Sequence, residues 1–536
     1  MNIMKITYIV LFLSLTVFVS SKANSQNSQW IYYTAANSQL PGDTVKAITF
    51  DGNNGSMWFY SEILGGKNAI SQLSGANWKI HDEISSTLYS NIVNPLVYSN
   101  NAIWAGNAGE GAVDGLSKFD GSAWTTYTTS NSGLIDQPIV CLLPDTKNNL
   151  WIGTQFGLNK LTGGVNWCTY TPDNVPAMAG KGIASLASNE NGDIWMTFIG
   201  THGIVEFPQG DPSHARFIYQ DTIPNFPSHG GSADYITCLA VDWSGNLWAG
   251  TESSGAVKID ASGAVIYNTL TTSAFKDDNI HSIAIDQCGH VWVATDVGVM
   301  EYDGVWKSYA ILPANIVNYI SVDGAGHVWF GTTNGIREYK PLPEKPILTS
   351  PLNWAVIGTD SISCHWSWDC PGISKYWHEI ADNPSFTNSH IDTTSPSLIL
   401  NASKWDTILV NHTTYYWRVK AENDAGWGPF SDTWRFTTNQ VSNVENEITK
   451  SQSLAQNFPN PCTDGTSIRF SLANYQHVTL KCYDILGRGI ATLLESDLNE
   501  GEYNILFNTS LLPNGSYFYS LTSGGSSMQR TMQVVH

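Results

Sequence analysis

Hydrophobic positions in the first two thirds of the chain fall in short runs that alternate with polar ones at period two, each bounded by Gly, Asn or Asp. That is the signature of short strands with one buried face. The clearest run lies within residues 149–161, where Leu150-Trp151-Ile152-Gly153-Thr154 is followed after a glycine by Leu158-Asn159-Lys160-Leu161. Its relatives are Trp58-Phe59, Trp104-Ala105-Gly106, Trp195-Met196-Thr197, Trp248-Ala249-Gly250-Thr251, Trp292-Val293-Ala294-Thr295 and Trp329-Phe330-Gly331-Thr332. The tryptophans of the seven copies lie 46, 47, 44, 53, 44 and 37 residues apart. A period of that size belongs to one supersecondary unit repeated as a propeller blade or a solenoid turn.

Each copy reads as four β segments, which in the third copy are residues 139–143, 150–154, 158–161 and 167–170. The first two are joined by a tight polar turn, as in Asp242-Trp243-Ser244-Gly245, Asp286-Gln287-Cys288-Gly289 and Asp323-Gly324-Ala325-Gly326. These fit a type I turn closed by a residue at positive φ, which glycine adopts at little cost. Four strands per unit is the arithmetic of a β-propeller. Segments of the fourth kind occur at 30–33, 78–81, 124–127, 167–170, 216–219, 264–267 and 306–309. They number seven but run out of phase: one precedes the first copy, and the last copy runs into Pro341 and Pro343 without one. The expectation is an all-β chain with a seven-bladed ring, zipped shut when residues 30–33 complete the last blade, which leaves few free strand edges.

The run Asp-x-x-Gly-[Asn/Asp/His]-apolar-Trp-x-Gly-Thr-x-x-Gly, followed by Trp-x-x-Tyr, resembles the two-component-regulator propeller repeats. The resemblance covers residues 30 to about 340. It implies a ring placed outside the membrane, in a family whose members often sense polysaccharide fragments ahead of a kinase. No kinase pattern follows the ring, so signalling within this chain is not expected.

Beyond the prolines at 341–346 the composition changes. His365-Trp366 on an early strand and Tyr415-Tyr416-Trp417-Arg418-Val419-Lys420-Ala421 on a late one, leading to Gly426 and Gly428, resemble a fibronectin type III domain over residues 345–438. Such sandwiches most often serve as spacers. After a polar linker at 439–453, residues 454–536 carry Leu454-Ala-Gln-Asn457-Phe-Pro-Asn-Pro461, Ser467-Ile-Arg-Phe470, Lys481-Cys-Tyr-Asp-Ile-Leu-Gly487 and Leu512-Pro-Asn-Gly-Ser-Tyr-Phe-Tyr519. This string resembles the C-terminal sorting domain of the type IX secretion system of Bacteroidota, an Ig-like sandwich. It departs from the family pattern at Cys462, where an aromatic is usual, and at His536, where a basic residue is usual. The resemblance implies the type IX machinery as a partner, cleavage of the tail, and attachment to the outer-membrane surface or release.

Residues 1–25 hold a lysine, an apolar core over 6–19 and small residues at Ala23 and Ser25, which predicts a secretory signal cut between Ser25 and Gln26. That core is short for a membrane span, and the mature chain carries no other candidate. No cysteine follows the cut, so a lipid anchor is not expected. The net charge of −20 repels phosphate backbones and argues against nucleic acid and anionic lipid as partners. Of the eight cysteines, Cys141 and Cys238 hold the same first-segment place in two copies and read as small core residues. Pairing of Cys364 with Cys370, and of Cys462 with Cys482, is left open by the spacing, and no Cys-x-x-Cys pattern suggests metal.

In a ring of four-segment units, the turns joining segments one to two and three to four share one face. The loops joining two to three, and four to the next unit, share the other. Nearly all insertions fall in the second set, at 60–69, 106–114, 172–181, 220–235 and 271–279. Repeat proteins place binding where their repeats differ. The ligand-binding candidates on that long-loop face are Tyr60, Glu110, Phe156, His202, His229, Glu252, Asp296 and Asn334, each of which also reads as a solvated loop residue. Twelve of the tryptophans hold repeated strand positions and are core, while Trp243 stands apart in a tight turn of the opposite face. No nucleophile elbow, His-Glu-x-x-His, EF-hand or phosphate loop occurs, so no catalytic residue, metal ligand or cofactor is assigned. His290 and His327 follow the turn glycine where other copies carry Asn149, Asp193 and Asn246, and read as turn residues. The pattern predicts a secreted or cell-surface recognition protein that binds a glycan or another extracellular ligand. Two alternatives stand beside it: a lyase or hydrolase using His202 or His229 as general base, as in the ring of streptogramin lyases, and a scaffold that docks other surface proteins.

Overall fold

The computed structural model describes residues 29–535 apart from 63–68, 83–92, 108–114, 179, 181, 201–202, 219–222, 225, 227–233, 310–315, 359–363, 368–371, 394–398, 401–408, 440–452, 464, 485–487, 511 and 524–525. The chain is all-β and divides into two units, residues 1–439 and 440–536.

Seven four-stranded antiparallel sheets make up the larger part of the first unit among the described residues. In chain order their first strands are Thr44–Asp51, Val93–Ser99, Ile139–Pro144, Ile183–Ser188, Ile236–Val241, Ile280–Ile285 and Val317–Val322. Each packs beside the first strand of the next sheet, and the last returns to the first, so these seven strands line the middle of a closed propeller. The seventh sheet is completed by the N-terminal Trp30–Tyr33, which pairs antiparallel with Gly335–Tyr339, Trp30 opposite Tyr339 and Tyr33 opposite Ile336.

The repeated residues have repeated jobs. The turn aspartate accepts two backbone N–H groups and the indole N–H of the second-strand tryptophan. Asp242 accepts from Ser244 and Asn246 amides at 3.0 and 2.9 Å and from Trp248 Nε1 at 2.9 Å. Asp145 with Trp151, Asp286 with Trp292, and Asp323 with Trp329 repeat this at 2.8, 2.9 and 2.9 Å. A buried indole is thus satisfied without breaking the strand ladder. The turn glycines Gly245, Gly289 and Gly326 hold φ of 82°, 86° and 85°, as the turn type requires. Tyrosines of the fourth strand stack on the same indoles: Tyr170 on Trp151, Tyr267 on Trp248 and Tyr309 on Trp292, with ring centroids 5.9, 5.8 and 5.5 Å apart. Tyr33 makes this contact with Trp329 at 5.9 Å, so the N-terminal strand supplies the missing motif residue as well as the missing strand.

The glycine of the Trp-x-Gly-Thr run is there for space. A Cβ at Gly250 would meet Cys238 Sγ at 2.5 Å and Ile280 of the next sheet at 2.6 Å, and one at Gly153 would meet Cys141 Sγ at 2.4 Å and Ile183 at 2.9 Å. Adjacent sheets therefore touch at this residue. Burial pushes the Cys141 thiol up to about 12 and Cys238 to about 11, so both stay protonated core groups.

The rest of the first unit is a two-sheet β-sandwich. One sheet orders Ile347–Ser350, Cys364–Ser367 and Ile399–Leu400; the other orders Ala355–Gly358, Trp434–Asn439, Thr414–Asn423, Lys375–Ala381 and His390–Asp392. Trp366, Tyr376, Tyr415, Trp417 and Phe436 form its core. The second unit packs the sheet of Ser453–Leu454, Gly465–Leu472 and Gly501–Asn508 against that of Gly489–Leu498, Gln476–Asp484, Gly515–Ser523 and Ser526–Val534. Its motif residues hold one another: buried Tyr519 Oη donates to the Ala455 carbonyl at 2.8 Å and accepts the Asn457 amide at 2.6 Å.

The two open cysteine pairings are not formed. Cys364, Cys462 and Cys482 are buried free thiols, as burial of a small sulfur in each sandwich core requires no bridge, and Cys288 is disulfide-bonded instead. Cys370 lies outside the described residues.

Candidate functional site

All seven first strands share one irregularity near their start, at the long-loop end. The register shifts between Val45 and Ala47, Val93 and Leu96, Ile139 and Cys141, Ile183 and Ser185, Ile236 and Cys238, Ile280 and Ser282, and Val317 and Tyr319. A bulge turns its extra residue out of the ladder and re-aims its side chain. The residues so placed include Lys46, Val140, Ala184, Thr237, His281 and Asn318. Two of them stitch neighbouring sheets: Thr237 Oγ1 donates to the Ile280 carbonyl at 2.5 Å, and Asn318 Nδ2 to the Val45 carbonyl at 2.9 Å.

His281 does otherwise. Its Nε2 lies 2.7 Å from Asp296 Oδ1, while Asn279 Nδ2 donates to Asp296 Oδ2 at 3.0 Å and Asp277 Oδ2 accepts the Asp296 amide at 3.0 Å. Partial burial pushes the Asp296 carboxyl up, and the hydrogen bonds from His281 and Asn279 outweigh it and hold it below the usual carboxylate range. The result is an ionised carboxylate fixing a partly buried imidazole at the long-loop end of an inner strand. His281 carried no signal in the sequence beyond standing where other copies have Val140, Ala184 or Thr237.

Of the eight candidates, Phe156, Glu252, Asp296 and Asn334 occupy the loop between second and third strands in the third, fifth, sixth and seventh sheets, and so share one face. Phe156, Glu252 and Asn334 are exposed, Phe156 at 57%. Ile199 and Val297, in the same loop of the fourth and sixth sheets, add exposed apolar surface at 49% and 50%. Tyr60 is not a surface residue. It lies two positions after Trp58 on one long strand, Ser56–Glu62, so it faces the same way and is buried between the first and second sheets with Ala47 and Leu96. Glu110, His202 and His229, and the signal cleavage pair Ser25 and Gln26, lie outside the described residues.

The opposite, short-turn face is occupied at its sixth and seventh sheets by the sandwich and the segment leading into it. Asn423 Nδ2 donates to the Pro341 carbonyl at 2.8 Å, Lys340 Nζ meets Asp424 Oδ2 at 2.8 Å, and His327 Nε2 meets Asp424 Oδ1 at 3.0 Å. Gly428 has no room for a side chain, because a Cβ there would reach 2.1 Å from the Pro343 carbonyl. Trp243, also on this face, is 60% exposed and donates its indole N–H to the Asp286 carbonyl at 2.8 Å, bridging two turns.

These features define a β-propeller with an appended sandwich and a separate C-terminal unit. Residues 456–535 match the model of a secretion system C-terminal sorting domain, and residues 133–156 match that of the two component regulator propeller. The sorting domain points to a secreted or cell-surface protein and to the secretion machinery as its partner. Among solved structures, the extracellular domain of a putative hybrid two component system from B. thetaiotaomicron is similar at 12% identity and TM-score 0.46, covering 94% of this chain and all of that one. A streptogramin B lyase is similar at 16% identity and TM-score 0.45, covering 58% of this chain and 97% of the other. PorZ, a surface component of the type IX secretion system of Porphyromonas gingivalis, is similar at 15% identity and TM-score 0.34, covering 92% of this chain and 60% of its own. No curated protein matches the chain.

Proposed function

We propose that this is an exported recognition protein whose propeller binds a glycan or another extracellular ligand on its long-loop face. The observation that carries the reading is the division of labour between faces: the sandwich is docked on the short-turn side, while the other side presents exposed Phe156, Ile199, Val297, Glu252 and Asn334. Exposed apolar side chains and polar ones on the same face are what a sugar ring, with its apolar face and hydroxyl edge, can use. In this reading residues 1–25 are a removed signal, residues 26–340 the binding ring, residues 345–438 a fibronectin type III spacer, and residues 439–453 a linker to the sorting tail at 454–536. Glycan-array binding by the secreted protein, lost when Phe156, His202 and Glu252 are all changed to alanine, is the expected result. Undiminished binding by that triple variant would overturn the assignment of the face.

A second reading has its own observation. An imidazole held 2.7 Å from a carboxylate, as His281 is by Asp296, is the arrangement of an oriented general base. Turnover of a bound ligand that His281→Ala abolishes would replace recognition by catalysis.

A further inference from the structure

The fourth residue after the turn aspartate is asparagine in the third and fifth sheets and histidine in the sixth and seventh. Asn149 and Asn246 donate a side-chain N–H to Asp145 Oδ2 and Asp242 Oδ2 at 2.8 and 2.9 Å, closing the turn. His290 and His327 make the same contact through Nδ1, each 3.2 Å from its aspartate, Asp286 or Asp323. An imidazole, unlike an amide, has a second nitrogen on the far side of its ring. That nitrogen leaves the propeller. His327 Nε2 lies 3.0 Å from Asp424 of the sandwich, and His290 Nε2 lies 3.4 Å from Glu344 of the connecting segment.

The charges around each ring support a cation. Asp286, Glu301 and Glu344 face His290, with Lys307 paired to Glu301 and Asp303. Asp323, Glu338 and Asp424 face His327, with Lys340 paired to Glu338 and Asp424. Burial pushes both imidazoles down, but the hydrogen bonds to the flanking carboxylates outweigh it and raise each to about 10. The exchange occurs in the two turns that face the sandwich. Nearby, Gly372 of the sandwich comes so close to the turn of the seventh sheet that a Cβ there would stand 3.0 Å from the Ala325 carbonyl.

We propose that His290 and His327 form a charged latch that fixes the sandwich to the propeller, so that the two turn as one body with a set orientation. Each histidine holds its turn with one nitrogen; with the other, His327 holds the sandwich and His290 the segment that leads into it.

The test separates those two jobs with the chain's own residue. The His290→Asn, His327→Asn variant keeps the turn contact that Asn149 and Asn246 make, and loses both outward contacts. Proteinase K cleavage in residues 341–346 is followed on reducing gels, with and without reductant during digestion, because Cys288, two residues from His290, is disulfide-bonded. With reductant present the double variant is expected to be cut at least fivefold faster than the parent, with the thermal transition of the propeller in place. An increase below fivefold overturns the latch. Should the double variant fail to fold, Glu344→Gln with Asp424→Asn, which changes only the exposed carboxylates on the partner side, decides on the same fivefold criterion.

Discussion

The two faces of the propeller follow different rules. On the short-turn face the third, fifth, sixth and seventh sheets spend the same residue in the same way: a turn aspartate accepts two backbone amides and a tryptophan indole, and in the last three of them a glycine closes the turn. On the long-loop face some backbone turns also repeat, as where Thr154, Thr295 and Thr332 each donate to the glycine carbonyl three residues on, but the side chains presented there differ from sheet to sheet: Phe156, Ile199, Glu252, Asp296 and Asn334. Repetition marks the side that builds the fold, and variation marks the side left free for recognition. The sandwich obeys the same division: it sits on the repetitive side, where His327 reaches its Asp424 and His290 reaches Glu344 of the connecting segment.

The largest effect is expected at ring closure. A chain beginning at residue 35 loses four strand residues, the Tyr33–Trp329 stack and the Trp30–Tyr339 contact. The expected loss is about 3–5 kcal/mol, a fall in Tm of roughly 10 °C, measured by thermal denaturation. The fifth sheet then offers a comparison of faces within one blade. Asp242→Ala strips acceptors from Trp248 and two turn amides and is expected to cost about 2–4 kcal/mol in denaturant titration. Glu252→Ala, on the other face, is expected to stay within about 0.5 kcal/mol. Equal costs would erase the distinction. Gly250→Ala falls between, at about 1–3 kcal/mol, because the added methyl meets Cys238 and Ile280.

The latch adds a pH dependence to the short-turn face. A histidine whose folded value is raised stabilises fully below its unfolded value and loses that contribution as pH rises through the folded one. Stability is therefore expected to decline from about pH 6.5 to about 10 for His290 and His327. Subtracting the curve of the double asparagine variant isolates this slope from that of the surrounding lysines and tyrosines. An identical decline in both proteins would remove the histidines as its source. The smallest effect is chemical: peptide mapping without reductant is expected to find Cys288 in a disulfide and Cys141, Cys168, Cys238, Cys364, Cys462 and Cys482 as free thiols.

The strands, their order and the closing role of residues 30–33 were legible because they rest on local periodicity and on counting. Tryptophan spacing, turn aspartates and glycines each recur, so every copy checks the others. What a pattern cannot carry is a partner far away in sequence. His290 and His327 were readable as turn residues, which they are, but Glu344 and Asp424 could be joined to them only in three dimensions. His281 stayed hidden because the bulge that re-aims it leaves no trace in residue type. Tyr60 was misplaced because it stands where other copies carry the motif glycine: it follows Trp58 by two residues as Gly153 follows Trp151, a position inside the second strand, and the tyrosine there hid the match.

The most direct measurement is ligand titration with variants of the two faces side by side. Once a ligand is found on a glycan array, the Phe156, His202 and Glu252 triple alanine variant and the Trp243→Ala variant are titrated against it by calorimetry. Loss of binding in the first and parental affinity in the second is the predicted result; parental affinity in the first and loss in the second would place recognition on the face assigned here to the fold.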